Sequence, residues 1–196
     1  MKWMPYANAL LCVAPITCQA ASYLTIDQTK TLMFPHATLK KIDLRLTADQ
    51  IKSLKKSSGI YYPFQADHVY KSSDDGWLII DKVLGKHEMI TYAVALTAKG
   101  AVKQVEILEY NESYGAKVRD AAWRQQFVGK TMSSPVALNQ DIKNISGATL
   151  SSKHITDGVK RILQLHDLVL KSLKNVIGLG FWLIFRMEPM KWSMWQ

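Results

Sequence analysis

Asn144-Ile145-Ser146-Gly147-Ala148-Thr149-Leu150-Ser151-Ser152 is the stretch from which the rest of the chain can be read. Gly147, lacking a Cβ, tolerates positive φ and close backbone approach. Four hydroxyls, on Ser146, Thr149, Ser151 and Ser152, fall within seven residues. From Leu150 to about Leu173 the apolar positions Ile155, Val159, Ile162, Leu163, Leu165 and Val169 recur at helical spacing. That stripe predicts a long C-terminal helix with one buried face. A hydroxyl-rich turn feeding a helix start suits an anion, because free N–H groups and the helix dipole both favour negative charge. The simpler reading is that Ser146 or Thr149 caps the helix.

Upstream of this stretch the pattern changes period. Trp77 to Val83, Met89 to Thr97 and Ala101 to Tyr110 read as strands, separated by turns at Gly85 and Lys99-Gly100. His68-Val69-Tyr70 leads into the first of them through Asp74-Asp75-Gly76, a hairpin signal. Short connections between successive strands make an antiparallel meander, and the lack of crossover helices disfavours a doubly wound parallel sheet. Ser22 to Phe34 reads as a short helix capped by Thr25 and ended by Pro35. Thr38 to Leu46 reads as a further strand. Thr47-Ala48-Asp49-Gln50 opens a second helix with a capping sequence, its Lys52, Lys55 and Lys56 face solvated and Gly59 its stop. Asn111 to Gly115 breaks the last strand. Lys117 to Phe127 then reads as a helix, with Val118, Ala121, Ala122 and Phe127 inward and Arg119 and Arg124 outward. Gly129 closes it, and a loop with Pro135 returns to the opening stretch. The fold class is α+β: an antiparallel meander packed with helices, the long C-terminal helix following the hydroxyl-rich motif.

The 196 residues suffice for one domain with a real core, and 48% apolar with 21% charged content is that of a folded protein. A net charge of +9 suits an anionic ligand, an acidic partner or a membrane surface. The lysines are scattered and no nucleic-acid motif accompanies them, so nucleic acid is not an expected partner. Residues 1–20 read as an export signal: Met1-Lys2, an apolar run from Ala9 to Ile16, then small residues at Cys18-Gln19-Ala20. Pro15-Ile16-Thr17 is a poor match to the box that precedes a lipid-modified cysteine. Both cysteines, Cys12 and Cys18, lie in this segment, so a domain of residues 22–173 has no disulfide framework or thiolate metal site. The segment 174–196 is apolar and rich in Trp and Met. Its run from Val176 to Phe185 is too short to span a bilayer, and it carries no assigned role. His36, His68, His87, His154 and His166 lack metal-ligand spacing and read as solvated or packing residues. Ser146-Gly147 has no nucleophile-elbow pattern. No catalytic side chain and no metal ligand is expected.

In this order the chain resembles the FMN-binding domain family, the domain of the flavin-bearing subunits of sodium-pumping NADH:quinone oxidoreductases and of related exported electron-transfer proteins. Met33-Phe34-Pro35-His36-Ala37 looks like the family's Phe-Pro-x-Ala element. The strands from Tyr92 to Leu108 look like its central meander. Glu112-Ser113-Tyr114-Gly115 resembles its Glu-Thr-Pro-Gly loop, and Ser146-Gly147-Ala148-Thr149-Leu150-Ser151-Ser152 its flavin-attachment motif. The resemblance covers roughly residues 24–170. It implies FMN as cofactor, joined through its phosphate to Thr149 by a separate flavin transferase that uses FAD. Ser146, Gly147, Ala148, Leu150, Ser151 and Ser152 would then surround the phosphate and ribityl chain, with Glu112 and Tyr114 at the isoalloxazine. Lys143 stands where the family usually has an acid three positions before the serine, and Asp141 lies two residues earlier. The implied function is an exported, periplasmic electron carrier serving redox partner proteins, including a membrane complex. A flavin-dependent reductase of a small substrate and a non-covalent FMN-binding module are the alternatives.

Overall fold

The computed structural model describes residues 23–64, 66–112 and 116–173. Five strands form one antiparallel sheet in sequence order: β1 Leu39–Ile42, β2 Val69–Ser72, β3 Trp77–Leu84, β4 Met89–Leu96 and β5 Val102–Tyr110. This is the expected meander. Asp75 at φ 68° and Gly100 at φ 80° supply the left-handed residues of two of its turns. β3 and β4 read as continuous apolar runs because both of their faces are covered. On one face, Trp77, Ile79, Val83, Ile90, Tyr92 and Val94 meet the helices α2 (Ala48–Ser58) and α4 (Thr149–Leu165). On the other, Leu78, Ile80, Ala93 and Ala95 meet Met33 and Phe34 at the end of α1 (Ile26–Met33).

The first two helices start as their sequences dictate. Thr25 and Gln28 form a reciprocal capping box on α1, and Thr47 and Gln50 form another on α2. Gly59, left-handed at φ 69°, ends α2. The predicted stripe of α4 is buried throughout, and a π-helical turn at His166–Leu170 prolongs it. Burying Ile155, Val159 and Ile162 contributes about 1.5–3 kcal/mol each.

Two expectations are corrected. The strand expected over Thr38 to Leu46 stops at Ile42, because its partner β2 offers no residue beyond Val69 to pair with. Leu44 leaves the sheet and enters the core beneath α2. The helix expected over Lys117 to Phe127 is instead three short pieces: a 3-10 turn Ala116–Arg119, α3 (Ala121–Arg124) and a 3-10 turn Gln125–Phe127. Asp120 is extended at ψ 127° and interrupts it. Ala121 and Ala122 face solvent, while Trp123 and Arg124 turn inward. Arg124 is not an outward charge: it donates to the Val105 carbonyl and pairs with Glu106 at 2.8 Å.

A buried polar cluster ties α4 to the sheet. Arg161 pairs with Asp81, and the Tyr92 hydroxyl donates to the same carboxylate oxygen at 2.9 Å. All three side chains are almost wholly buried. Burial pushes the Asp81 carboxyl and the Tyr92 phenol up from their ordinary values, and the Arg161 guanidinium opposes both shifts. A Cβ on Gly158 would collide with the Tyr92 hydroxyl, so this glycine is what lets helix and strand approach.

Candidate functional site

The opening stretch forms the turn into α4. Gly147 sits at φ +79° with open space where a Cβ would be, so it is required for its backbone conformation and not for clearance. Ala148 occupies the position before the first helical residue, and α4 has no side-chain cap. Neither Ser146 nor Thr149 caps it. The amides of Thr149, Leu150 and Ser151 therefore have no intrahelical acceptor, and the helix dipole points its positive end outward here.

These residues open onto a cavity of about 440 Å³ lined by Gly147, Ala148, Thr149, Leu150 and Ser151 on one side and by Lys86, His87 and Glu112 on the other. The second wall is built by the β3–β4 turn. Glu112 accepts hydrogen bonds from the amides of His87 at 2.6 Å and Glu88 at 3.0 Å. Partial burial opposes ionisation of its carboxyl, but the amides of Glu88, His87 and Lys86 prevail and hold it below the usual carboxylate range. Gly85 makes this docking feasible, since a Cβ there would collide with the carboxylate. His154 donates from Nδ1 to the Leu84 carbonyl and fastens the second turn of α4 to the end of β3.

Six of the expected residues thus meet around one cavity: Thr149, Gly147, Ala148, Leu150, Ser151 and Glu112. Ser151 is buried, and its hydroxyl lies 3.2 Å from that of Tyr110. Ser152 is also buried and is spent internally, its single hydroxyl proton lying within reach of Asn144 Oδ1 at 2.8 Å and of the Ala148 and Thr149 carbonyls at 3.0 and 3.1 Å. Ser146 is exposed and does not line the cavity. Tyr114 lies outside the described residues, as do the 1–20 segment and residues 174–196.

Lys86 and His87 belong to the site although the sequence does not mark them, and Asn144, at the head of the opening stretch, reaches it through its bond to Thr149 Oγ1. Lys86 and His87 occupy a turn far upstream of the motif, and nothing local shows that a turn lysine faces a distant helix start. Lys143 is exposed. Asp141, two residues earlier, is engaged within its own loop. Its carboxylate accepts from the Val136 and Ala137 amides and pairs with Lys130 at 3.0 Å, holding a loop in which Val136 has φ 41°. Burial opposes this ionisation too, but those amides and Lys130 keep the carboxyl below its ordinary value.

An open helix start, a left-handed glycine, a facing lysine and a cavity within the usual range for a small-molecule site fit a phosphate-bearing cofactor. Residues 85–164 match the family model of the FMN-binding domain. The chain therefore carries an FMN-binding domain, and FMN is its cofactor. The matched span runs from the turn that binds Glu112 through nearly all of α4. Met33-Phe34-Pro35-His36-Ala37 lies outside it. Among curated proteins, the chain is similar to a subunit of the Na(+)-translocating ferredoxin:NAD(+) oxidoreductase complex of Acetobacterium woodii. The two are 21% identical over 155 residues, spanning 71% of this chain and 75% of that protein.

Among the described residues no group of three or more His, Cys, Asp or Glu is arranged to hold a metal ion. No helix among them is long and apolar enough to cross a membrane.

Proposed function

We propose that this chain is an exported electron-transfer flavoprotein whose FMN is joined through its phosphate to Thr149 Oγ1. The observation that carries this reading is the placement of Thr149. It is the exposed first residue of an uncapped helix and lines the cavity that Lys86 and Glu112 close from the other side. The amides of Thr149, Leu150 and Ser151 would receive the phosphate oxygens, and Lys86 would balance their charge. Bound FMN supplies the redox chemistry at its isoalloxazine. The protein's part is to hold the phosphate, to keep Glu112 on the turn amides so that the wall stays formed, and to seat the ring beside that wall. No side chain is required as general acid or base, which favours an electron carrier over a free-standing reductase.

Resemblance to a subunit of a redox complex supports a place beside partner proteins in a membrane assembly. The signal-like residues 1–20 support export to the periplasm, and a separate flavin transferase would then load the flavin there. Denaturing gel electrophoresis with in-gel flavin fluorescence tests the attachment, using full chain coexpressed with such a transferase. Wild type is expected to fluoresce and Thr149→Ala to be dark. Equal fluorescence would remove Thr149 as the attachment point. Flavin that is released on denaturation of the wild type would instead establish non-covalent binding.

A further inference from the structure

We infer that Asn144 is the positioning residue that presents the Thr149 hydroxyl for flavin attachment. This rests on the reading of Thr149 given above. The Asn144 carboxamide makes three hydrogen bonds. Its Oδ1 accepts from the Ile145 amide at 2.8 Å and from the Ser152 hydroxyl at 2.8 Å, and its Nδ2 donates to Thr149 Oγ1 at 3.2 Å. The Ile145 amide can only donate, so it fixes which end of the carboxamide is oxygen and turns the NH₂ toward Thr149.

The support beneath Asn144 is rigid. Lys143 just before it is tied through its backbone: its amide donates to Gln126 Oε1 at 2.8 Å, and its carbonyl accepts from Trp123 Nε1 at 2.7 Å. Ser152, on the other side, is fixed in the first turn of α4 by its backbone amide, which donates to the Ala148 carbonyl at 2.9 Å. Loop and helix thus grip the carboxamide from two directions. Of the polar residues Asp141, Lys143 and Asn144, only Asn144 has a side chain that reaches the threonine, since Asp141 is committed to the Val136–Ala137 amides and Lys130.

The chemical consequence follows from the valence of the hydroxyl. Donation from Nδ2 occupies one lone pair of Oγ1 and leaves the other lone pair and the O–H directed away from Asn144. In the transfer, Oγ1 attacks the FMN-side phosphorus of FAD. A new Oγ1–P bond forms, the pyrophosphate P–O bond breaks, and AMP leaves with the bonding pair. The threonine proton passes to the transferase or to water, and nothing is oxidised or reduced. An amide cannot take that proton. Asn144 therefore acts by restricting an exposed side chain to one reactive orientation, a contribution that enters the rate of transfer and not the affinity for the transferase.

The test uses purified flavin-free full-length chain, a purified flavin transferase and FAD, following attachment by intact mass and in-gel fluorescence. Asn144→Asp keeps an acceptor for Ile145 and Ser152 and replaces the donor to Thr149 by a charged acceptor, which reverses the hydrogen bond and turns the threonine proton toward position 144. It is expected to lower kcat for attachment about tenfold, the scale of one lost hydrogen bond, while KM for the chain stays within about twofold. Its thermal midpoint should stay near that of wild type. Asn144→Ala removes all three bonds and should lower kcat at least as much, with a lower midpoint. Attachment to Asn144→Asp at the wild-type rate or faster overturns the inference, and so does a raised KM with kcat intact. Thr149→Ala, run in parallel, separates the two claims. Flavin on that variant sinks the Thr149 reading itself, whereas a dark Thr149→Ala beside a fully active Asn144→Asp sinks only the role of Asn144.

Discussion

The starts of α2 and α4 solve the same physical problem in opposite ways. Each helix leaves its first amides without backbone acceptors. In α2 the chain answers for itself: Thr47 Oγ1 accepts from the Gln50 amide at 3.3 Å, and Gln50 Oε1 accepts from the Thr47 amide at 2.8 Å. In α4 the corresponding position is Ala148, which offers nothing, although four hydroxyls lie within reach in sequence. Ser151 and Ser152 are turned to Tyr110 and Asn144, and Thr149 accepts from Asn144. A self-capped start contributes stability. An uncapped one, held in place by everything around it, leaves its amides for a ligand.

The contrast is sharpest in its all-or-none consequence. Thr149→Ala should abolish covalent flavin, read by intact mass, while moving the thermal midpoint of the flavin-free protein little, because the side chain is exposed. A large loss of stability would mean that α4 relies on its start as α2 does.

The next effect lies in the middle of α4, where its stability is expected to reside. Gly158→Ala would raise intrinsic helix propensity, yet it drives a methyl group into the Tyr92 hydroxyl beside the Asp81–Arg161 pair. It should cost about 1–3 kcal/mol in denaturant unfolding. A stabilised variant would show that the helix is not pinned there.

Smaller again is the comparison of the caps themselves. Thr47→Ala should cost about 1 kcal/mol. Ser146→Ala, at an exposed residue outside the cavity, should stay within about 0.5 kcal/mol. Equal losses in the two variants would break the distinction between the two helix starts.

The smallest effect is in pH. The folded-state pKa values of Glu112 and Asp141 are depressed, so their contribution to stability is present above the unfolded values, about 4, and is lost as pH falls through the folded ones. Thermal midpoints should therefore decline below about pH 4, and Glu112→Gln should flatten part of that decline. An unchanged acid profile in that variant would mean the carboxylate bonds to the β3–β4 turn contribute little.

Much of the fold is legible in the sequence. The meander shows itself through period and turns, and the capping boxes through Thr-x-x-Gln spacing. Half of the site is legible the same way, because Gly147, Thr149 and Ser151 are neighbours along the chain. The other half is not. Lys86 and His87 look like residues of an ordinary turn, and Glu112 gives no sign that its partners are the amides of that turn. The pieces between Lys117 and Phe127 have the sequence pattern of one helix. The structure breaks it because Trp123 and Arg124 are drawn inward by Lys143 and Val105, each distant in sequence.

The sequence by itself determined what depends on spacing of about four residues or fewer: the caps, the hairpin turns, the buried stripe of α4 and the hydroxyl-rich turn before it. Only the tertiary structure decided which amides stay open, which hydroxyls are spent internally and which charges face Thr149. Those outcomes depend on burial and on hydrogen bonds between residues far apart in the chain, such as His87 with Glu112 and Asp81 with Arg161. Local propensity carries no information about such partners, because their energies exist only once the sheet and α4 have excluded water between them.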